Sequence, residues 1–161
     1  MIGASGFIGR ALVEMAPEAV TAGRGPENDL YMDLRTVRDV PPCEVAYICA
    51  GANGARVCEG NQDAFLANVD GPIEVARIVG SRGGFTVWIS SMSVEWGAGA
   101  YQRQKLAAET VLRNMRGVGI VRAGRVTRDN VKDLCAALLR VGRGRLGGVT
   151  RWGTDEIAYQ K

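Results

Sequence analysis

The chain opens with Gly3-Ala-Ser-Gly6-Phe-Ile-Gly9, and three glycines at this spacing ahead of a helical stripe constrain the fold more than any other stretch. The stripe follows at once. Ile8, Ala11, Leu12 and Met15 recur at i, i+3, i+4 and i+7, the pattern of one buried helix face, and the helix is expected to end near Pro17. A turn without side chains lets backbone N–H groups approach an anion at the positive end of the helix. A dinucleotide pyrophosphate suits such a turn, and the architecture that presents it is a doubly wound parallel sheet.

The rest of the chain alternates in the same way. Short strands are expected over 19–22 and 29–34, and Glu44-Val-Ala-Tyr-Ile-Cys49 reads as a continuous apolar strand running into the small-residue loop Ala50-Gly-Ala-Asn-Gly54. Uninterrupted strands of this kind belong to parallel sheets covered on both faces. A helix follows over about 61–79, with Pro72 as a kink or a restart. Phe85–Ser90 is the next strand and delivers Ser90 and Ser91 at its end. Beyond it come a helix from Tyr101 to Met115, a strand over 118–121, a helix from Val131 to about Gly142, and an extended piece between Leu146 and Trp152. The expected fold is α/β, with helices on both faces of the sheet and one domain over 1–161.

Composition narrows the chemistry. With 161 residues and 47% hydrophobic content the chain has enough material for a single core. The net charge of +3 is modest and its cations are scattered, which excludes a nucleic-acid groove and leaves a small anionic molecule as the expected partner. There is no histidine, so imidazole acid–base chemistry and His-ligated metals are excluded, and no metal site is expected. Cys43, Cys49, Cys58 and Cys135 are spaced by 6, 9 and 77, none of which is a zinc or redox pattern. They read as buried structural thiols in a reducing cytoplasm. No apolar run reaches the roughly 18 to 20 residues that span a bilayer, and no signal peptide is evident, so the expected localisation is cytoplasmic.

Proton chemistry then falls to other side chains. Tyr101-Gln-Arg-Gln-Lys105 sets a phenol and an ammonium one helical turn apart. A free tyrosine titrates near about 10, and a fixed positive charge is what makes it a usable acid or base near neutral pH.

As an ordered set, Gly3-Ala-Ser-Gly6-Phe-Ile-Gly9, Asn68-Val-Asp-Gly-Pro72, a strand ending in Ser90-Ser91, and Tyr101-x-x-x-Lys105 resemble the extended short-chain dehydrogenase/reductase superfamily. The closest likeness is to nucleotide-sugar epimerases, dehydratases and dTDP-4-dehydrorhamnose reductase-like proteins, over about residues 2–126. The resemblance implies that Gly3, Ser5, Gly6, Phe7, Ile8 and Gly9 hold a dinucleotide pyrophosphate. It places Asp33 and Leu34 beside the adenine, and Ala50, Gly51 and Ala52 along the nicotinamide side. Asn68 matches a helix asparagine whose role stays open between cofactor contact and a buried backbone bond. Arg24 stands where relatives that prefer NAD carry an acidic residue, so NADP is favoured over NAD. Ser91, with Ser90 as the fallback, hydrogen-bonds the substrate oxygen, Tyr101 moves its proton, and Lys105 lowers the tyrosine pKa and holds the ribose. The implied activity is hydride transfer on a nucleotide sugar or a related hydroxyl or carbonyl compound, by a homodimer paired through the helices that begin near Asn61 and Tyr101.

Three features depart from the family. Only Met1 and Ile2 precede Gly3, where the fold requires a strand of about five buried residues. Three or four missing aliphatics, at roughly 1.5 to 3 kcal/mol each, rival the stability of a small domain. Either the true start lies upstream or something else fills the slot. The stretch from Ser91 to Tyr101 is short, and the region 127–161 is small for a substrate subdomain, so the substrate pocket is expected to be open or completed by another chain. Arg122, Arg125 and Arg128 are candidates to face a substrate diphosphate, or else a solvated surface. A second functional class stays open beside the enzyme: a Rossmann module that binds NAD(P) as a sensor or partner subunit without turnover.

Overall fold

The computed structural model describes residues 1–153. The part of the C-terminal region expected over 154–161 lies outside the described residues. Helix α1 spans Phe7–Met15, and two short strands, β1 at Ala22–Gly23 and β2 at Leu30–Tyr31, follow it. Strand β3 is Val45–Ile48, and short helices α2 (Ala55–Cys58) and α3 (Gln62–Phe65) lead through a π-helical turn at Leu66–Asp70 into α4 (Gly71–Ser81). Then come β4 (Phe85–Ser91), a 3₁₀ turn at Met92–Glu95, α5 (Ala100–Leu112), β5 (Val118–Ala123), α6 (Val131–Arg143) and β6 (Gly148–Trp152).

All strand pairs are parallel, in the orders β2–β1 and β3–β4–β5–β6. The two groups are joined by Ile2, which bridges Ala22 on one side and Ile48 on the other. The chain therefore forms one Rossmann-like sheet in which Ile2 holds the place between β1 and β3. Ile2 donates to the Tyr47 carbonyl at 2.8 Å and accepts from the Cys49 N–H at 2.9 Å, while Gly3 donates to the Ala22 carbonyl at 2.8 Å. These bonds aim Gly3 at the carboxyl edge of the sheet.

The sheet separates two cores. One is built on Ile48, Val75, Trp88 and Ile120 and closed by α4 and α5; the other is built on Leu12, Val87, Leu134 and Leu138 and closed by α1 and α6. The continuous apolar strands are thus covered on both faces, as parallel strands must be.

Some boundaries move. The strand expected over 19–22 forms at Ala22–Gly23, because the N–H and hydroxyl of Thr21 are both taken by the Asp29 carboxylate at 2.8 Å and Val20 is exposed. The helix expected over 61–79 is interrupted by the π turn ahead of Pro72, which sits in the first turn of α4, where its missing N–H costs nothing. The loop expected over 50–54 forms as such, and the short helix α2 follows it directly at Ala55–Cys58. The cysteines also differ from the expectation of buried thiols: Cys58 and Cys135 are buried, but Cys43 is exposed and Cys49 is intermediate. Burial pushes the Cys49 thiol up to about 12 and Cys135 to about 11, which leaves neither as a nucleophile near neutral pH.

Candidate functional site

The glycine turn works by close approach. Gly3 has φ +82, and a Cβ placed there would stand 2.6 Å from the Ala50 nitrogen; one placed on Gly9 would stand 2.1 Å from the Gly3 oxygen. The turn, the loop after β3 and the start of α1 are therefore packed backbone to backbone, a cradle that any side chain would fill. Gly6 is the N-cap of α1 without a side-chain cap, so the first N–H groups of the helix stay open to a ligand.

A cleft of about 450 Å³ runs along this edge. Gly3, Ser5 and Gly6 line its middle, Arg24, Asp33 and Leu34 one end, and Ala50, Gly51 and Ala52 the other. Phe7 and Ile8 do not line it: Phe7 is exposed on α1, and Ile8 packs against the α1–α6 core. At the Arg24 end, Asp33 is buried and gripped by Arg35, whose Nε lies 3.0 Å from both carboxylate oxygens. That hydrogen bonding holds the Asp33 carboxyl below its ordinary range. Arg35 also reaches Asp63 at 2.5 Å. This Asp33–Arg35–Asp63 bridge across the cleft was missed in the sequence, although Arg35 at i+2 from Asp33 was the available signal. Arg24 makes no ion pair or hydrogen bond among the described residues, so it is the cation left to meet a ligand there.

Asn68 is fully buried in the π turn. It accepts from the Ala52 N–H at 2.8 Å, donates to the Ala52 carbonyl at 2.9 Å, and donates to Gln104 on α5 at 2.8 Å. It thereby ties the loop after β3 to the helix carrying the Tyr-x-x-x-Lys motif. The wider π turn is what brings its amide to that loop. A Cβ on Gly51 would meet the Asn68 oxygen at 2.8 Å and stand 3.8 Å from Lys105 Nζ, so the ammonium lies just behind the inner end of the cleft.

Lys105 is only 5% exposed. Its Nζ donates to the Ile89 carbonyl at 2.9 Å, sits 4.4 Å over the Trp88 ring and 5.9 Å from the Tyr101 ring centre. Burial lowers its pKa to about 8, with Glu109 acting in the opposite sense. Ser91, at the end of β4, accepts from the Ser93 N–H at 3.2 Å, and its hydroxyl lies 2.8 Å from that of Ser93. Ser90 is buried and donates to Glu109. Of the two serines, Ser90 belongs to a structural network and Ser91 remains half-buried at the site. Tyr101 is half-buried in the first turn of α5. Neither Ser91, Tyr101 nor Lys105 lines the 450 Å³ cleft itself.

Behind them stands an ion-pair chain that sequence reasoning did not find. Glu109, 1% exposed, holds the Arg122 guanidinium through Nη2 at 2.6 Å; Arg122 reaches Glu95 at 2.7 Å, and Glu95 takes Arg151 at 2.6 Å. Arg122 is thus a strut between α5, β5 and the 3₁₀ turn. Arg125 and Arg128 are exposed. Among the described residues no helix is long and apolar enough to cross a membrane.

The sequence matches no protein-family model and no curated protein. Solved structures do share its fold. A hypothetical dTDP-4-dehydrorhamnose reductase from Sulfolobus tokodaii superposes with a TM-score of 0.76 at 19% identity, over 93% of this chain and 74% of its own. A dTDP-4-dehydrorhamnose reductase from Bacillus anthracis, solved in complex with NADP, does so with a TM-score of 0.71 at 20% identity, over 95% and 73%. For a short-chain dehydrogenase from Burkholderia cenocepacia, also in complex with NADP, the values are 0.72, 16%, 95% and 86%. Likeness at these identities is likeness of fold.

Proposed function

We propose that the chain is an NAD(P)-dependent oxidoreductase of the short-chain dehydrogenase type, acting on a carbonyl or hydroxyl carbon of a nucleotide sugar or a related compound. The observation that carries this reading is one of continuity. The cleft over the glycine cradle ends at Gly51, and directly behind Gly51 lies Lys105 Nζ, one turn along α5 from Tyr101. A dinucleotide laid along the cleft suits each part: pyrophosphate on the open N–H groups of α1, adenosine toward Asp33, nicotinamide toward Gly51. The freedom of Arg24 at the adenosine end favours NADP over NAD. The neighbours solved with NADP support the same choice of cofactor.

When bound, the nicotinamide supplies or takes the hydride. The chain's own residues handle the oxygen. Tyr101 gives a proton to it in reduction and takes one in oxidation, and Ser91 donates a hydrogen bond that fixes it. Lys105, an ammonium below about pH 8, favours the phenolate form of Tyr101. The names of the reductases from Sulfolobus tokodaii and Bacillus anthracis support a nucleotide-sugar substrate. Phe65 on α3 and Leu106 and Val111 on α5 are exposed apolar side chains, which supports a homodimer through these helices. A non-catalytic NAD(P)-binding module is the second reading, and what favours it is that Ser91 and Tyr101 stand outside the cleft.

NADPH oxidation with a panel of dTDP- and UDP-keto sugars tests the proposal. Turnover is expected, and Tyr101→Phe is expected to abolish it while leaving NADPH binding intact. Binding without turnover across the panel selects the second reading.

A further inference from the structure

Lys105 and Glu109 lie one helical turn apart on α5, and β4 grips both of them. Trp88 and Ser90, two residues apart on that strand, point to the face that α5 covers. The Lys105 ammonium stands over the Trp88 ring and donates to the Ile89 carbonyl, while the Glu109 carboxylate accepts from the Ser90 hydroxyl. Arg122 is the register partner of Ser90 on β5. It reaches the same carboxylate, with Nε 3.1 Å from both oxygens and Nη2 2.6 Å from one. The result is a line of alternating charge, Lys105, Glu109, Arg122, Glu95 and Arg151, that runs from behind the candidate site to the surface.

The inner part of that line is buried. Glu109 and Lys105 are both almost wholly shielded from solvent, so their charges are screened far less than those of a surface pair at the same spacing. Among the described residues, the other titratable groups that face the amine are Cys49 in the loop after β3, Cys58 on α2 and Tyr101 on α5 itself. Burial pushes both thiols up, Cys49 to about 12, so neither supplies an anion near neutral pH. Glu109 is therefore the carboxylate that opposes the effect of burial on Lys105. Apolar side chains of similar volume would tie α5 to the sheet as firmly as an ion pair does. The charge itself thus calls for a role.

We propose that Glu109 is a positioning residue that acts through Lys105: its carboxylate, fixed by Ser90 and Arg122, keeps the buried amine an ammonium beside Tyr101. Arg122 tempers this action. Its guanidinium neutralises part of the carboxylate's charge, so the two side chains push the amine in opposite senses, Glu109 toward the charged form and Arg122 toward the neutral one. The purpose of the arrangement rests on the proposed activity, in which the ammonium favours the Tyr101 phenolate. The electrostatic link itself belongs to the fold and needs no cofactor.

The test uses the full chain and reads the amine directly. The sequence holds three lysines, Lys105, Lys132 and Lys161, so isotopic labelling of lysine at Cε gives three signals to titrate by NMR, and the one lost in Lys105→Met belongs to Lys105. Its midpoint in the wild type is expected at about 8. Glu109→Gln keeps the shape of the side chain and its bond to Ser90, and is expected to lower that midpoint by about one pH unit, a roughly tenfold loss of proton affinity. Arg122→Gln, which removes a cation and frees the carboxylate, is expected to raise it. A role confined to holding α5 in place would move the two variants the same way or neither of them. An unchanged midpoint in Glu109→Gln, or shifts of one sign in both variants, would overturn the proposal. NADPH oxidation with the keto-sugar panel, measured in parallel, reports on the activity alone: opposite shifts without turnover would uphold the link from Glu109 to Lys105 and remove the catalytic reading.

Discussion

The glycine turn and the α5 motif meet at Gly51, yet they are built on opposite principles. The turn works by the absence of side chains: Gly3 and Gly9 let three backbone segments touch, and backbone bonds of Ile2 and Gly3 to Tyr47, Cys49 and Ala22 tie it into the sheet. The α5 motif works by buried side chains. Lys105 is placed by Ile89 and Trp88, Gln104 by Asn68, and Glu109 by Ser90 and Arg122. The cofactor side therefore fails when something is added, and the proton-transfer side fails when something is removed.

The largest expected effect comes from removal. Arg122→Met leaves Glu109 as a buried carboxylate without its cation, and the loss of one partner of such a pair costs about 3 to 5 kcal/mol. Chemical denaturation is expected to show a loss of that order; a loss under about 1 kcal/mol would show that Glu109 reaches water or another cation. Addition comes next. Gly9→Ala drives a methyl against the Gly3 carbonyl, with an expected cost of about 1 to 3 kcal/mol and a loss of NADPH binding greater than the stability change explains. Retention of full NADPH affinity would separate the turn from the cofactor.

The last effect is a slope, small at each step of pH. Lys105 has a folded pKa of about 8, below its ordinary value of 10.5, so the unfolded chain holds the extra proton between these values. The cost of burying the ammonium is complete below about pH 8 and is relieved as pH rises toward 10.5. Stability attributable to Lys105 thus rises with pH in that window, by at most about 1.4 kcal/mol per pH unit. The cysteines titrate nearby with the opposite sign, because their folded pKa values are raised. The difference between wild type and Lys105→Met isolates the lysine: the wild-type curve should gain on the variant from pH 8 to 10. Parallel curves would mean that Lys105 is not desolvated.

This contrast also governs what could be read from the sequence. Glycine spacing and apolar runs are local, and they announced the turn, the parallel strands and most helices. The shift of β1 to Ala22 was hidden because it depends on Thr21 and Asp29, which lie on different strands' approaches. The π turn was hidden because nothing local requires it; its justification is the bond from Asn68 to Ala52. Ser90, Glu109 and Arg122 gave no signal, since each is ordinary where it stands and acquires meaning only when β4, α5 and β5 lie side by side. Tyr101 and Lys105 were legible because one helical turn brings them together regardless of the rest.

Everything proposed for the active edge depends on a dinucleotide lying along the cleft with its adenosine end at Arg24. Calorimetric titration of the full chain with NADPH and NADH, alongside Arg24→Ala, tests this directly. Saturable binding of both is expected, tighter for NADPH, with the difference largely erased in Arg24→Ala. No binding of either nucleotide at millimolar concentration would contradict the account.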